Sequence, residues 1–207
     1  MDWTLLIIVD AAFLPVETIE TNVAAAARGG ATWLQIRAKG LASGPLFRYV
    51  REAGRSARAA GIPFLVNDRA DAAALAGARG VHLGREDLPV AEARRLLGPE
   101  AVIGATVRDA GDARRAEREG ATYLGVGPQF RTETKPELIP LTKERIGEIR
   151  GATRLPLVGI GGIRPGRAAE VAARGMDGMA AVSAVWRAPD PEEAARRLVR
   201  EFNGGMV

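Results

Sequence analysis

"FLVNDRADAAALAGARGVHLGRED", residues 64–87, carries the repeating unit of the fold. Two apolar runs, FLVN at 64–67 and GVHL at 80–83, flank an alanine-rich stretch that opens near Ala70, so the segment reads as strand, helix, strand. Each strand is followed by an acid, Asp68 directly and Asp87 a few residues on, and Asn67 stands beside the first.

Outward from this unit the same alternation continues. Further strands are expected at LLIIV (5–9), WLQI (33–36), VIGA (102–105), YLGVG (123–127), LVGI (157–160) and GMAAV (178–182). With the first two that makes about eight, the number for a closed barrel. Between them Leu46, Tyr49, Val50, Ala53 and Ala57 share one helical face, as do Ile19, Val23 and Ala27, and Ala194, Ala195, Leu198 and Val199. Strands that are continuously apolar are buried on both faces, as in a parallel sheet covered by helices. The expectation is one α/β domain over 1–207, a single (β/α)8 TIM barrel. A doubly wound sheet usually needs fewer strands, and no G-x-G-x-x-G opens a helix after the first strand.

Composition narrows the chemistry. At 207 residues and 47% hydrophobic content the chain can bury one substantial core. It has no cysteine, which excludes disulfides and thiolate zinc sites, and its one histidine, His82, excludes a histidine-cluster metal site. A bound metal must take oxygen ligands. The 29 basic and 25 acidic residues give a net charge of +4 but are interspersed, with no aromatic-basic array, so a mixed solvated surface is expected and nucleic acid is not. The first residues lack a basic region followed by a long apolar run, and no segment approaches membrane-spanning length. A cytoplasmic protein is expected; nothing in the composition sets an oligomeric state.

In such a barrel the active residues stand at the C-terminal ends of the strands and in the loops that follow. Those ends carry Gln35, Arg37 and Lys39 after strand two, Asn67 and Asp68 after three, and Asp87 after four. They carry Thr106 after five, Thr132, Thr134 and Lys135 after six, Gly161 and Gly162 after seven, and Ser183 after eight. Gln35, Arg37 and Lys39 alternate, so an extended backbone aims all three to one side, where a guanidinium fork and a compact ammonium suit a diphosphate. Mg²⁺ favours a few carboxylate oxygens with water and substrate phosphates, which two aspartates on neighbouring strands supply. Asn67 adds a neutral donor. Glycines after strand seven permit close backbone approach, and the hydroxyl of Ser183 lies near a possible helix start, both features of phosphate sites. Plainer readings stand beside these: Asp68 and Asp87 as helix caps, the basic residues and the TETK segment as solvated loops, the glycines as a tight turn. His82, within an apolar run, is expected to be a hydrogen-bonded packing histidine rather than a base.

Taken in order, QIRAK, VNDRADAA, GVHLGREDLP, GVGPQFRTETK, GIGGI and AVSAV resemble the thiamine phosphate synthase family over nearly the whole chain. The resemblance implies a Mg²⁺-dependent transferase that joins 4-amino-2-methyl-5-pyrimidinylmethyl diphosphate to a thiazole phosphate, releasing diphosphate in thiamine biosynthesis. It implies that Gln35, Arg37, Lys39, Asn67, Thr106 and Lys135 bind the pyrimidine diphosphate, with Arg37, Lys39, Thr106 and Lys135 acting on the reacting diphosphate. It makes Asp68 and Asp87 the magnesium ligands. Thr132, Thr134, Gly162, Val182 (through its backbone) and Ser183 take the thiazole phosphate. The chain departs from the family at Thr106, where serine is common, at Leu6, where the first strand often carries tyrosine, at Gly40 in place of an acid and at Arg85 in place of glutamine. The alternatives are a thiazole tautomerase of the same superfamily, whose histidine position is held here by Arg108, and a non-catalytic phosphate-ligand binding protein. A sugar-phosphate isomerase is possible on fold alone.

Overall fold

The computed structural model describes residues 1–132 and 138–204. Eight parallel strands close in sequence order: β1 (Leu5–Asp10), β2 (Trp33–Arg37), β3 (Phe64–Asn67), β4 (Gly80–Leu83), β5 (Val102–Val107), β6 (Tyr123–Val126), β7 (Leu157–Ile160) and β8 (Gly178–Ala181). Leu6 pairing with Ala180 completes the ring. All eight expected strands are present, with ends displaced by no more than two residues. The outer layer is α1 (Val16–Arg28), α2 (Ser43–Ala59), α3 (Ala70–Ala76), α4 (Val90–Leu97), α5 (Ala110–Arg118), α6 (Lys143–Ala152), α7 (Ala168–Ala173), the short α8 (Ser183–Trp186) and α9 (Pro191–Phe202). Its apolar faces follow the helical period. One detail shifts: α1 buries Ala26 with Ile19 and Val23, leaving Ala27 partly exposed.

Strand alternation divides the buried residues into two cores. Leu5, Ile7 and Val9 of β1, with Leu34 and Ile36 of β2, face the helices, while Leu6, Ile8, Trp33, Leu65, Val102 and Tyr123 fill the barrel. Because both faces are covered, the strands read as unbroken apolar runs. At the N-terminal end Trp3 stacks on Trp33 at 4.7 Å and meets Tyr123 at 4.1 Å, so rings plug that end of the barrel.

Two glycines make this packing possible. A Cβ at Gly104 on β5 would lie 2.3 Å from Cζ of Tyr123 and 2.5 Å from Nδ1 of His82, and one at Gly125 on β6 would lie 2.8 Å from Cε1 of His82. Gly104→Ala is therefore expected to lower stability by roughly 2–3 kcal/mol, since overpacking in a rigid core forces off-rotamer side chains. A thermal midpoint within about 1 °C of the parent would show that the interior has room to spare.

Candidate active site

The β2 side of the barrel mouth is held by a buried acid. Arg37 ends β2, pairs in register with Asp10 of β1, and donates from Nη1 to Oδ2 of Asp10, which is only 3% exposed. Asp10 also accepts from the Ala12 backbone N–H at 3.0 Å, so the carboxylate is fixed before it fixes the guanidinium. Gln35, buried one layer deeper, and Lys39 in the following loop line the same cavity as Arg37, as their alternation implies. Asp10 escaped the sequence reading, although an acid ending the apolar run LLIIVD is the same signal that marked Asp68.

The acids after β3 and β4 are not helix caps. Arg69 and Pro89 occupy the caps of α3 and α4, and neither helix has a side-chain cap. Adjacent strand residues normally face opposite sides of a sheet, yet Asn67 and Asp68 both line the cavity. The cause is the backbone of Asp68, at φ +64, while its N–H donates to the His82 carbonyl at 2.8 Å. A non-glycine residue in this left-handed region is strained, and such strain collects at functional sites. Asp87 is held by the Gly84 N–H, which donates to its Oδ2 at 2.7 Å. Burial, followed by the hydrogen bond and negative charge of Asp87, pushes the Asp68 carboxyl up to about 6, while the Lys39 and Arg37 cations act in the opposite sense. Nζ of Lys39 stands 3.6 Å from Oδ2 of Asp68.

These two carboxylates are the residues here that suit a cation. Among the described residues no group of three or more histidines, cysteines or acids converges on a metal position. A carboxylate such as Asp68, whose proton affinity a neighbouring carboxylate raises, is relieved by a positive charge beside it. Mg²⁺ takes one or two carboxylates and completes its shell with water and phosphate oxygens. The pair therefore fits a cation that a phosphate ligand helps to hold.

On β5, Thr106 lines the cavity and its Oγ1 lies 3.0 Å from Nε2 of His82. Nδ1 of His82 lies 2.8 Å from the Tyr123 hydroxyl, so both ring nitrogens have partners, as expected of a packing histidine. His82 nonetheless also lines the cavity.

The opposite wall comes from β6 to β8. Thr132, Gly161, Gly162, Val182 and Ser183 line it, the last opening α8. The glycine turn is both structural and part of this wall. Gly161 and Gly162 have φ of +95 and +67, and a Cβ on Gly162 would lie 2.6 Å from the Arg131 carbonyl. Thr134 and Lys135 lie outside the described residues. The apolar surface between the two walls comes from Ile8, Ile160 and Ala180.

The departures from the family pattern lie away from the cavity surface, Thr106 excepted. Leu6 packs among Trp3, Trp33 and Tyr123 beneath it. Gly40 is exposed at φ +84, and Arg85 pairs with Asp112 at 3.3 Å. Arg108, at the tautomerase histidine position, donates from Nη2 to the Ile139 carbonyl at 3.0 Å and does not line the cavity.

Two cations, two carboxylates and a glycine-opened backbone at the C-terminal mouth give this (β/α)8 barrel a site whose chemistry suits phosphate-bearing ligands. The family described as thiamine monophosphate synthase matches residues 5–185. A thiamine-phosphate synthase of Natronomonas pharaonis is 45% identical over 88% of this chain and 86% of its own. A thiamine biosynthesis bifunctional protein of Symbiobacterium thermophilum is 49% identical over 84% of this chain, which spans only 36% of that relative's length. Among solved structures, thiamine phosphate pyrophosphorylase from Pyrococcus furiosus superposes with a TM-score of 0.86 at 33% identity, covering 98% of this chain and 96% of that one. The chain belongs to the thiamine monophosphate synthase family.

Proposed function

We propose that residues 1–207 form one catalytic domain that transfers the 4-amino-2-methyl-5-pyrimidinylmethyl group from its diphosphate to the nitrogen of a thiazole phosphate, releasing diphosphate and thiamine phosphate. The observation that carries this reading is the division of one cavity into two anion-seeking walls, Arg37 and Lys39 with the aspartates on one side and Gly162 with Ser183 on the other. The apolar side chains of Ile8, Ile160 and Ala180 line the same cavity and suit the faces of two flat heterocycles. Among the described residues no helix is long and apolar enough to cross a membrane, and the reading is of a cytoplasmic enzyme acting on small molecules.

Each residue has a task in this reaction. Arg37, oriented by Asp10, and Lys39 bind the departing diphosphate, with Lys135 joining them by its place in the family pattern. Asn67 and Thr106 donate to its oxygens, and Gln35 faces the pyrimidine. Asp68 and Asp87 hold Mg²⁺, which when bound supplies positive charge to the leaving group. Thr132, Thr134, Gly162, the Val182 backbone and Ser183 hold the thiazole phosphate so that its ring nitrogen faces the methylene carbon. The C–O bond to diphosphate breaks, the electron-rich aminopyrimidine carries the positive charge, and the thiazole nitrogen captures it. The protein contributes orientation and fixed charge rather than a nucleophile.

The deciding assay supplies both substrates with and without Mg²⁺ and follows thiamine phosphate and diphosphate. Coupled, metal-dependent release of both is expected. Carboxythiazole phosphate supplied alone should isomerise no faster than in buffer, because arginine stays protonated and exchanges no proton. Isomerisation without coupling would instead establish a tautomerase, and binding without either reaction a silent ligand-binding protein. Ser183→Ala should raise KM for the thiazole phosphate about tenfold, the value of a hydrogen bond to a charged group, and leave KM for the pyrimidine diphosphate nearly unchanged. A change confined to the pyrimidine diphosphate would reverse the assignment of the two walls.

A further inference from the structure

Below the diphosphate wall a line of polar groups runs through an otherwise apolar interior. Tyr123 is 1% exposed and pinned between Trp3 and the His82 ring; its hydroxyl meets Nδ1 of His82 at 2.8 Å, and Nε2 of His82 meets Oγ1 of Thr106 at 3.0 Å. The buried Gln35 side chain also interacts with the Tyr123 phenol. The space for both rings exists only because β5 and β6 carry glycine at 104 and 125, where any Cβ would overlap them. The barrel is thus shaped around this pair of rings.

We infer that Tyr123 and His82 are positioning residues that aim the proton of the Thr106 hydroxyl into the cavity. The inference rests on the reading of Thr106 as a diphosphate contact. Diphosphate oxygens only accept hydrogen bonds, so Thr106 helps only if its own proton points at them. A hydroxyl beside a histidine nitrogen has two choices. If Nε2 is bare, Thr106 donates to it and turns oxygen lone pairs toward the anion. If Nε2 carries the proton, it donates to Oγ1, and the threonine proton is released to the ligand.

The partner on the far side of the ring selects between them. The buried Tyr123 hydroxyl needs an acceptor for its proton, and Nδ1 of His82 stands 2.8 Å from its oxygen; donating there keeps Nδ1 bare, and Nε2 is left as the donor. Burial holds the Tyr123 phenol protonated, so the donor is present across the working pH range. Donation then runs in one direction, from Tyr123 to His82 to Thr106 to the ligand. Such a chain orients a hydroxyl that would otherwise rotate.

The chain contains one histidine, so a long-range proton–nitrogen NMR spectrum of the uniformly ¹⁵N-labelled wild type reports its protonation without assignment. A proton on Nε2 is expected; a bare Nε2 would overturn the inference. The second measurement is kinetic. His82→Leu should raise KM for the pyrimidine diphosphate about tenfold with KM for the thiazole phosphate held within about twofold. His82→Gln, which places an N–H near the Nε2 position, should recover most of the loss. In a Thr106→Ala background, His82→Leu should have almost no further effect, because the group it acts through is gone. An undiminished effect there would also overturn the inference. Should the leucine variant not fold, the wild-type spectrum and the glutamine variant still decide it. An inactive wild type would count against the proposed function alone, since the spectrum needs no turnover.

Discussion

Asp68→Asn is expected to lower the rate of thiamine phosphate formation by about a thousandfold or more, equivalent to about 4 kcal/mol of transition-state stabilisation, while making the metal-free protein slightly more stable. The two effects have one origin. The carboxylate is held near Asp87 at the mouth of the cavity, where its charge is useful only with a cation present. Its carboxyl titrates near 6 in the fold against 3.8 as an ordinary aspartate, so ionising it opposes folding. The penalty is absent below pH 3.8, grows as pH rises toward 6 and is complete above it. Removing it should add about 1 kcal/mol at pH 7 after allowing for solvent screening, or about 2–4 °C in the melting midpoint. Asparagine suits the test because it tolerates the left-handed backbone of this residue better than other non-glycine side chains. Asp87→Asn should lose activity similarly while keeping an oxygen for the Gly84 N–H. Near-parental rates with unchanged Mg²⁺ dependence in both variants would remove the pair from the mechanism.

Arg37 should separate charge from geometry. Arg37→Ala is expected to lose activity by about a hundredfold or more and also about 3 kcal/mol of stability, since Asp10 is then left buried without its cation. Arg37→Lys restores the charge but not the planar fork. It should recover most of the stability, yet remain about 10 to 100-fold below the parent in kcat/KM for the pyrimidine diphosphate. Thermal melts and steady-state kinetics on the two variants check this. If lysine restored activity in full, Arg37 would act as a point charge and its orientation by Asp10 would be irrelevant.

The barrel was legible in the chain because its evidence is local: eight apolar runs separated by amphipathic stretches, with burial on both strand faces removing the usual alternation. The same regularity puts Gln35, Arg37, Lys39, Asn67, Asp68, Asp87, Thr106 and Ser183 at one end of the barrel, lining one cavity, since every parallel strand ends on the same side. Other features depended on contacts between strands far apart in the chain. The left-handed turn that brings Asp68 to the same cavity as Asn67 is stabilised by the His82 carbonyl of the next strand. Asp10 gains its meaning from register with Arg37, and Leu6, in the position often taken by tyrosine, proves to lie in the aromatic floor rather than at the cavity. His82 reads as one polar residue in an apolar run until closure of the barrel sets it between Tyr123 and Thr106. Residue order specifies which side chains reach the rim and the interior; hydrogen-bond direction and ion pairing arise only when β1 to β6 are brought together, because they belong to pairs of strands and to no single one.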